Sequence, residues 1–322
     1  QSGLPANRTF YHGIRRLLGS QVIRADTAEG SFRVEEHAPP PCSFSTPPSS
    51  VSEAVDQYAE RVRSVFGQIA EIDEIGVMLT GGLDSRTVLA GVLDQGKAPT
   101  VLSGTGDNSR KSDDRDLRIA KKIARELDLD FEKIDWSDRQ PHSRGRLRES
   151  FERYGFKHEV YGSPEGMTKY LKNKPSSNPQ LILGGYSPVF TREEPWKTRE
   201  EKDVFKKYIN NEYHEKQVLE KEGYIRKLKK DVTKKLKKDD FSLNGKKSIE
   251  DFSSAMIDLK INWDARFSNF ANEFANYLDP FRTKTLYDTI KNIKCSLRDK
   301  RKIQVGIIKE MKDRLTKLEV CS

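Results

Sequence analysis

Residues 76–86 read Gly-Val-Met-Leu-Thr-Gly-Gly-Leu-Asp-Ser-Arg, and this stretch decides the fold. Its apolar start predicts a short strand, and the residues after the two glycines predict a helix. Gly81 and Gly82 leave room for backbone amides to approach a ligand, and the helix would aim its free N–H groups and positive dipole end at the same place. The order of strand, glycines and helix therefore predicts a site for a phosphate-bearing anion.

The side chains around the two glycines fit such a site. Thr80 and Ser85 carry hydroxyl donors, and Asp84 is the expected ligand of a Mg²⁺ ion that accompanies the phosphates. The spacing is not that of a Walker A loop, because no Gly-x-x-x-x-Gly-Lys-Ser/Thr occurs in the chain. The alternative is a strand–turn–helix connection whose glycines only turn the chain, but such a turn needs neither both glycines nor the Asp-Ser pair.

The flanking residues predict an α/β fold with a doubly wound parallel sheet. Strands are expected at residues 75–79, 99–104, 131–134 and 180–183. Helices are expected after the capping box at 50–53, from the glycine loop to about Gly96, and over 113–127. Alternating units of this length place ligands beyond the carboxyl ends of the strands. From about residue 200 we expect helix to the end, with Phe267, Phe270, Phe274 and Tyr277 at helical spacing.

The glycine loop resembles the Ser-Gly-Gly-x-Asp-Ser loop of the ATP pyrophosphatase (PP-loop) superfamily, with Thr80 in the first position. Leu83 and Arg86 make it most similar to the C-terminal synthetase domain of the glutamine-hydrolysing asparagine synthetases. The resemblance implies a sheet of the adenine-nucleotide α-hydrolase-like type with a helical C-terminal region. It also implies that the loop grips the pyrophosphate of ATP, with Mg²⁺, while a carboxylate is adenylated.

The resemblance assigns roles residue by residue. It implies catalytic roles for Asp84, Ser85 and Arg86, with Asp84 as the metal ligand. It places ATP against the loop, the end of the second strand and a later glycine pair: Leu79, Thr80, Gly81, Gly82, Leu83, Asp84, Ser85, Ser103, Gly104, Thr105, Gly184 and Gly185.

Two acidic features of the family correspond only partly to this chain. An acid pair opens the helix after the second strand, where Asp113-Asp114-Arg115-Asp116 stands; a plain helix N-cap explains Asp113 equally well. Asparagine synthetases also carry a Ser-Gly-x-Gly-Gly-Asp-Glu stretch near Gly184, but here no acid follows until Glu193. This departure suggests a different acyl acceptor or a weakened enzyme.

The same resemblance divides the chain into three parts. Residues 1–48 resemble the end of a glutaminase domain followed by a Pro/Ser-rich linker, residues 49–195 the ATP-binding synthetase domain, and residues 196–322 a charged helical region that completes it. The nucleophilic Cys that opens a glutaminase is missing, since the chain begins with Gln1. The expectation is that ammonia, a separate amine or a separate glutaminase supplies nitrogen; the alternative is that the sequence is truncated.

Composition narrows the class of protein. Hydrophobic residues make up 35% of the 322 residues, and the mean hydropathy is −0.76. No apolar run approaches the roughly 20 residues that span a bilayer, and the N-terminus lacks the apolar core of a signal peptide. The three cysteines form no C-x-x-C pair. We therefore expect a cytoplasmic protein with no membrane partner.

The net charge of +9 is concentrated in a lysine-rich segment, residues 197–240, which holds 15 lysines and arginines against 10 acids. Its apolar residues recur at helical spacing, which predicts a charged helix that packs on the rest of the protein through one apolar stripe. The alternative is a face that binds RNA or another polyanion. No aromatic or glycine residues interleave with the lysines as in RNA-binding modules, so nucleic acid is not expected as a partner.

The resemblance to the asparagine synthetases implies an ATP-dependent carbon–nitrogen ligase. It would form an acyl-adenylate, release pyrophosphate, and transfer nitrogen to a small-molecule carboxylate such as aspartate. Two alternatives stay open: another PP-loop enzyme, such as a tRNA-modifying one, and an ATP-binding protein with weakened catalysis. A homodimer is among the assemblies that the sequence leaves open.

Overall fold

The computed structural model of the chain describes residues 21–36, 47–105, 111–135, 179–185 and 275–318. The predictions for the lysine-rich segment, for residues 1–20 and for residues 186–274 lie outside the described residues.

The chain divides into two compact units. One consists of residues 1–42 and 194–265, and the other of residues 43–193 and 266–322. The domain boundaries at residues 48 and 195 that the sequence suggested stay a prediction.

In the first unit the described residues form an antiparallel hairpin, which the sequence analysis did not predict. Its strands are β1 (Gln21–Asp26) and β2 (Ser31–Glu36). The Asp26 carboxylate accepts a hydrogen bond from the N–H of Ala28 at 2.9 Å, and Gly30 adopts a φ of +62° before β2 begins. A short side chain that bonds its own backbone and a left-handed glycine are the usual means of closing such a turn.

The second unit is built on a five-stranded sheet in which every neighbouring pair of strands is parallel. The strands are β3 (Ile75–Met78), β4 (Thr100–Thr105), β5 (Phe131–Asp135), β6 (Leu181–Leu183) and β7 (Tyr277–Leu278). Their order across the sheet is β5-β4-β3-β6-β7. The chain therefore starts at the centre, proceeds to one edge, and resumes on the other side of β3.

Helices flank this sheet. They are α1 (Val51–Ile69), α2 (Leu83–Asp94), α3 (Lys111–Glu126), α4 (Lys284–Lys291) and α5 (Lys302–Lys312), with 3₁₀ segments at Pro280–Arg282, Cys295–Arg301 and Asp313–Thr316. None of the helices in the described part of the chain is both long and apolar enough to cross a membrane.

The first helix begins at the predicted capping box. The Ser50 hydroxyl accepts a hydrogen bond from the N–H of Glu53 at 3.2 Å. The Glu53 carboxylate accepts in return from both the N–H and the hydroxyl of Ser49, each at 2.8 Å. These bonds from Ser49 lower the pKa of Glu53, because they favour its charged form. The reciprocal contact thus reaches one residue further back than the standard box.

The core of the second unit joins the sheet to a layer in which α5 packs on both α1 and α2. Helices α5 and α1 approach closely at Gly306, where a Cβ atom would lie 2.5 Å from Val55. The buried side of α5 is formed by Ile303, Ile307, Ile308 and Met311. The last described helix is therefore part of the core and not an appendage.

The predicted fold class is confirmed in its architecture: the second unit is an α/β fold on a five-stranded parallel sheet, with a C-terminal helix. One element of the prediction is wrong. Tyr277 was expected in a helical region, but it begins β7, which pairs with β6. This two-residue strand forms because it pairs with β6, although the apolar residues of its own sequence have the spacing of a helix.

Candidate functional site

The loop between β3 and α2 lies at the carboxyl end of the central strand. From β3 the chain turns towards β4, whereas β6 and β7 lie on the other side. Such a reversal opens a crevice where open α/β sheets bind ligands. Helix α2 begins there with Gly82 as its N-cap, and no side chain among the described residues caps it. The first N–H groups of α2 thus lie at the position where the sequence predicted an anion site.

The Ser85 hydroxyl holds the loop together. It accepts a hydrogen bond from the N–H of Thr80 at 3.0 Å and lies 3.0 Å from the Thr80 hydroxyl. It also lies 3.3 Å from the carbonyl oxygens of Thr80 and Gly82. Ser85 is buried, whereas Thr80 is exposed. The structure therefore uses this hydroxyl, expected to donate to a ligand, to fix the shape of the loop.

The backbone amides of the two glycines also have partners within the chain. The N–H of Gly81 donates to the Asp116 carboxylate at 2.8 Å, and the N–H of Gly82 donates to the Thr80 hydroxyl at 3.3 Å. Asp116 lies on α3, which begins at Lys111, so the expected N-cap Asp113 falls inside the helix. The acid that reaches the loop is Asp116, the last residue of the predicted acidic stretch, to which no role of its own was assigned.

The later glycine pair borders the same loop. A Cβ atom at Gly185 would lie 2.6 Å from the Cα atom of Ser85, and one at Gly184 would lie 2.3 Å from the Cζ atom of Tyr277. The N–H of Gly184 continues the pairing of β6 by donating to the carbonyl of Leu278 at 2.9 Å. The structure thus brings Gly185 and Ser85 together, as one site requires, because the backbone of α2 leaves no room for a Cβ atom at Gly185.

The end of β4 lies beside the start of the loop. The N–H of Leu79 donates to the carbonyl of Leu102 at 2.8 Å, which places Ser103, Gly104 and Thr105 at the carboxyl edge of the sheet. Ser103 is buried and Gly104 is half-buried. Leu79 and Leu83 were predicted to contact a ligand. Both side chains are buried, so they anchor the loop in the core.

Asp84 occupies the first turn of α2 and contacts the last described helix. Its Oδ1 atom accepts a hydrogen bond of 2.6 Å from Nε2 of Gln304 on α5. The Asp84 side chain is half-buried, and Gln304 is completely buried. A carboxylate held at the edge of a crevice is a suitable ligand for a hard divalent cation.

Arg86 lies inside the fold and is completely buried. Its Nη1 atom donates to the carbonyls of Leu315 and Leu318, each at 3.0 Å, and its Nη2 atom donates to the carbonyl of Gly81 at 3.3 Å. These contacts tie the glycine loop to the residues after α5. The catalytic role expected for Arg86 stays a prediction, and the contacts described here are structural.

The residues present fit a magnesium ion that is held mainly by the phosphates of a bound nucleotide and only in small part by the protein. In the described parts of the chain no three His, Cys, Asp or Glu side chains group closely enough to hold a metal by themselves. Mg²⁺ that accompanies phosphates needs only one or two carboxylates from the protein. Asp84, in the uncapped first turn of α2, offers one such carboxylate.

Comparisons with known proteins give distant structural likenesses only. No family model matches the chain, and no curated protein does either. Among solved structures, an NMN synthetase from Francisella tularensis matches 45% of this chain over 58% of its own length, with 13% identity and a TM-score of 0.28.

Two further structures cover more of the chain. An NH3-dependent NAD synthetase from Campylobacter jejuni, in complex with nitrate, matches 68% of this chain over 96% of its own, with 14% identity and a TM-score of 0.32. A glutamine-dependent NAD+ synthetase from Acinetobacter baumannii, in complex with ADP, matches 70% of this chain over 51% of its own, with 13% identity and a TM-score of 0.29.

Proposed function

We propose that the second unit binds Mg·ATP at the loop between β3 and α2 and uses it to activate a small-molecule carboxylate as an acyl-adenylate. The observation that carries this proposal is the meeting of the glycine loop, the uncapped start of α2 and Gly185 at the reversal point of the sheet. That arrangement offers backbone N–H groups and a helix dipole to a pyrophosphate.

The proposed reaction has two steps. A carboxylate oxygen attacks the α-phosphorus of ATP, a C–O–P linkage forms, and the bond to the β-phosphate breaks to release pyrophosphate. A nitrogen, from ammonia or a separate donor, then attacks the acyl carbon, loses a proton and displaces AMP. N–H donors placed where charge develops each contribute about 3–4 kcal/mol in well-studied enzymes. Mg²⁺, when bound with the nucleotide, supplies charge neutralisation for the leaving pyrophosphate.

Two substitutions in the loop test nucleotide binding. At Gly82 a Cβ atom would meet no atom of the described residues closer than the Thr80 hydroxyl, at 3.5 Å, and the backbone has φ −81° and ψ 161°, which any residue adopts. Gly82→Ala should therefore lower the melting temperature only by the small cost of alanine at an N-cap, while clearly weakening ATP binding, because the new methyl group would lie where phosphates approach. Unchanged ATP affinity would place the nucleotide elsewhere.

Asp84→Asn tests the role of the carboxylate and keeps its shape. We expect a modest loss of Mg·ATP affinity and a loss of adenylation by orders of magnitude, because the metal matters most as charge develops on pyrophosphate. Adenylation is measured as ATP–pyrophosphate exchange against a panel of carboxylic acids that includes aspartate. Exchange that requires a nucleic acid would favour a tRNA-modifying enzyme, and ATP binding without any exchange would favour a protein with weakened catalysis.

A further inference from the structure

The last described helix reaches the glycine loop through one side chain. Gln304 lies on α5, 220 residues along the chain from Asp84, and its Nε2 atom donates to Oδ1 of Asp84 at 2.6 Å. The same Nε2 atom lies 3.4 Å from the hydroxyl of Thr87, one turn further along α2. Gln304 thus contacts the first turns of the helix that begins at the candidate phosphate site.

Gln304 is a polar residue on an otherwise apolar surface. Its side chain is completely buried, and its neighbours on the inner side of α5 are isoleucines and a methionine. Burying an amide costs free energy unless hydrogen bonds replace those to water. Its Oε1 atom has no hydrogen-bond partner among the residues described. Packing alone does not account for a glutamine here, so the contact with Asp84 is the feature to explain.

The chemistry of the pair explains the choice of residue. A carboxylate only accepts hydrogen bonds, so the amide nitrogen of Gln304 must face Asp84. A lysine or arginine in this position would donate as well but would cancel the negative charge that a divalent cation needs. An amide holds the carboxylate in one orientation and leaves its charge intact.

We propose that Gln304 is the positioning residue for Asp84: by holding one carboxylate oxygen, it fixes the orientation in which Asp84 meets the metal of Mg·ATP. This inference rests on the proposed function. It makes α5 part of the nucleotide site, although α5 lies near the end of the chain. Partners of this kind around a metal ligand change metal affinity by about 10- to 100-fold when removed.

Gln304→Met removes the amide and keeps most of the volume. The measurement is ATP binding by calorimetry over a series of Mg²⁺ concentrations. We expect the Mg²⁺ concentration for half-maximal enhancement of ATP binding to rise about 10-fold or more, with ATP affinity in the absence of Mg²⁺ unchanged. Gln304→Ala, which admits water beside Asp84, provides a second variant if the methionine packs poorly.

Ile307→Val is the matched control. Ile307 is completely buried on the same side of α5, and the substitution removes one methylene without touching a polar contact. It should lower stability slightly and leave the Mg²⁺ requirement at the wild-type value. An equal shift in Ile307→Val and Gln304→Met would show that Gln304 acts through packing and would overturn the inference.

A double-mutant cycle with Asp84→Asn separates this inference from the proposed function. If Gln304 acts through Asp84, Gln304→Met should cause no further change in the Mg²⁺ requirement once Asp84→Asn is present; additive changes would overturn the inference. The same cycle in the free energy of unfolding needs no nucleotide, and additive losses there would overturn the contact itself. A wild-type chain that binds no Mg·ATP would instead overturn the proposed function.

Discussion

Gly185 lies directly against Ser85: a Cβ atom added at Gly185 would be 2.6 Å from the Cα atom of Ser85 and 2.9 Å from its backbone nitrogen. Both neighbours are backbone atoms in the first turn of α2, so neither can rotate away. The end of β6 and the start of α2 therefore approach as closely as two backbones can, at the reversal point of the sheet.

Gly185→Ala should separate these two backbones. We expect a destabilisation of about 1–3 kcal/mol, typical of overpacking, together with a loss of ATP affinity because the first turn of α2 shifts. The control is Gly67→Ala in α1, where among the described residues the new methyl group would meet only the side chain of Gln95, at 3.6 Å. That change should stabilise the helix by about 0.5–1 kcal/mol. Thermal melting and ATP titration of both variants check the prediction, and an unperturbed Gly185→Ala would contradict it.

The Asp116 carboxylate accepts a hydrogen bond of 2.8 Å from the N–H of Gly81, so in the proposed site it would compete with an anion for that N–H. Asp116→Asn keeps an oxygen acceptor and removes the negative charge. Binding of pyrophosphate without Mg²⁺ should then tighten by about fivefold, which corresponds to roughly 1 kcal/mol of relieved repulsion.

The control for this prediction is Asp128→Asn. Asp128 follows the far end of the same helix, α3, and adopts a φ of 54° that asparagine tolerates well. This change removes one negative charge from the protein as well, so it should leave pyrophosphate affinity unchanged if the effect of Asp116 is local. Equal tightening in both variants, or none in Asp116→Asn, would be the contrary result.

Local patterns in the sequence were sufficient to predict most of the sheet. The capping box before α1 and the apolar runs of β3 to β6 appear at their predicted places, within one or two residues. In each case the determining interactions lie within a few residues of one another. Strand β7 was missed because its two residues are a strand only by pairing with β6, almost a hundred positions earlier.

The same distinction applies to the site. The glycine loop itself was predictable, since one stretch of eleven residues, 76–86, holds its strand, its turn and its helix start. The partners of the loop were not: Asp116 lies 35 residues from Gly81, and Gln304 lies 220 residues from Asp84. The one signal for Gln304 in the sequence was its helical spacing from Ile307, Ile308 and Met311, because a glutamine on such an apolar face needs a polar partner.

Tyr58 makes the stability of the second unit sensitive to alkali. The phenol is 1% exposed, and burial, reinforced by the negative charge of nearby Asp279, raises its pKa well above the ordinary value. The folded state therefore keeps the proton at pH values where the unfolded chain, with a pKa near 10, releases it. The contribution of the buried phenol to the free energy of unfolding is complete below about pH 10. Above that pH, each such tyrosine lowers the free energy of unfolding by about 1.4 kcal/mol per pH unit. Tyr277, whose pKa burial also raises, adds a second contribution of the same sign.

Urea unfolding at a series of pH values above 9 should give a shallower alkaline decline for Tyr58→Phe than for the wild type, and shallower still for Tyr58→Phe with Tyr277→Phe. If all three slopes coincide, these phenols ionise within the folded protein, and the tyrosinate absorbance would then rise before unfolding instead of with it.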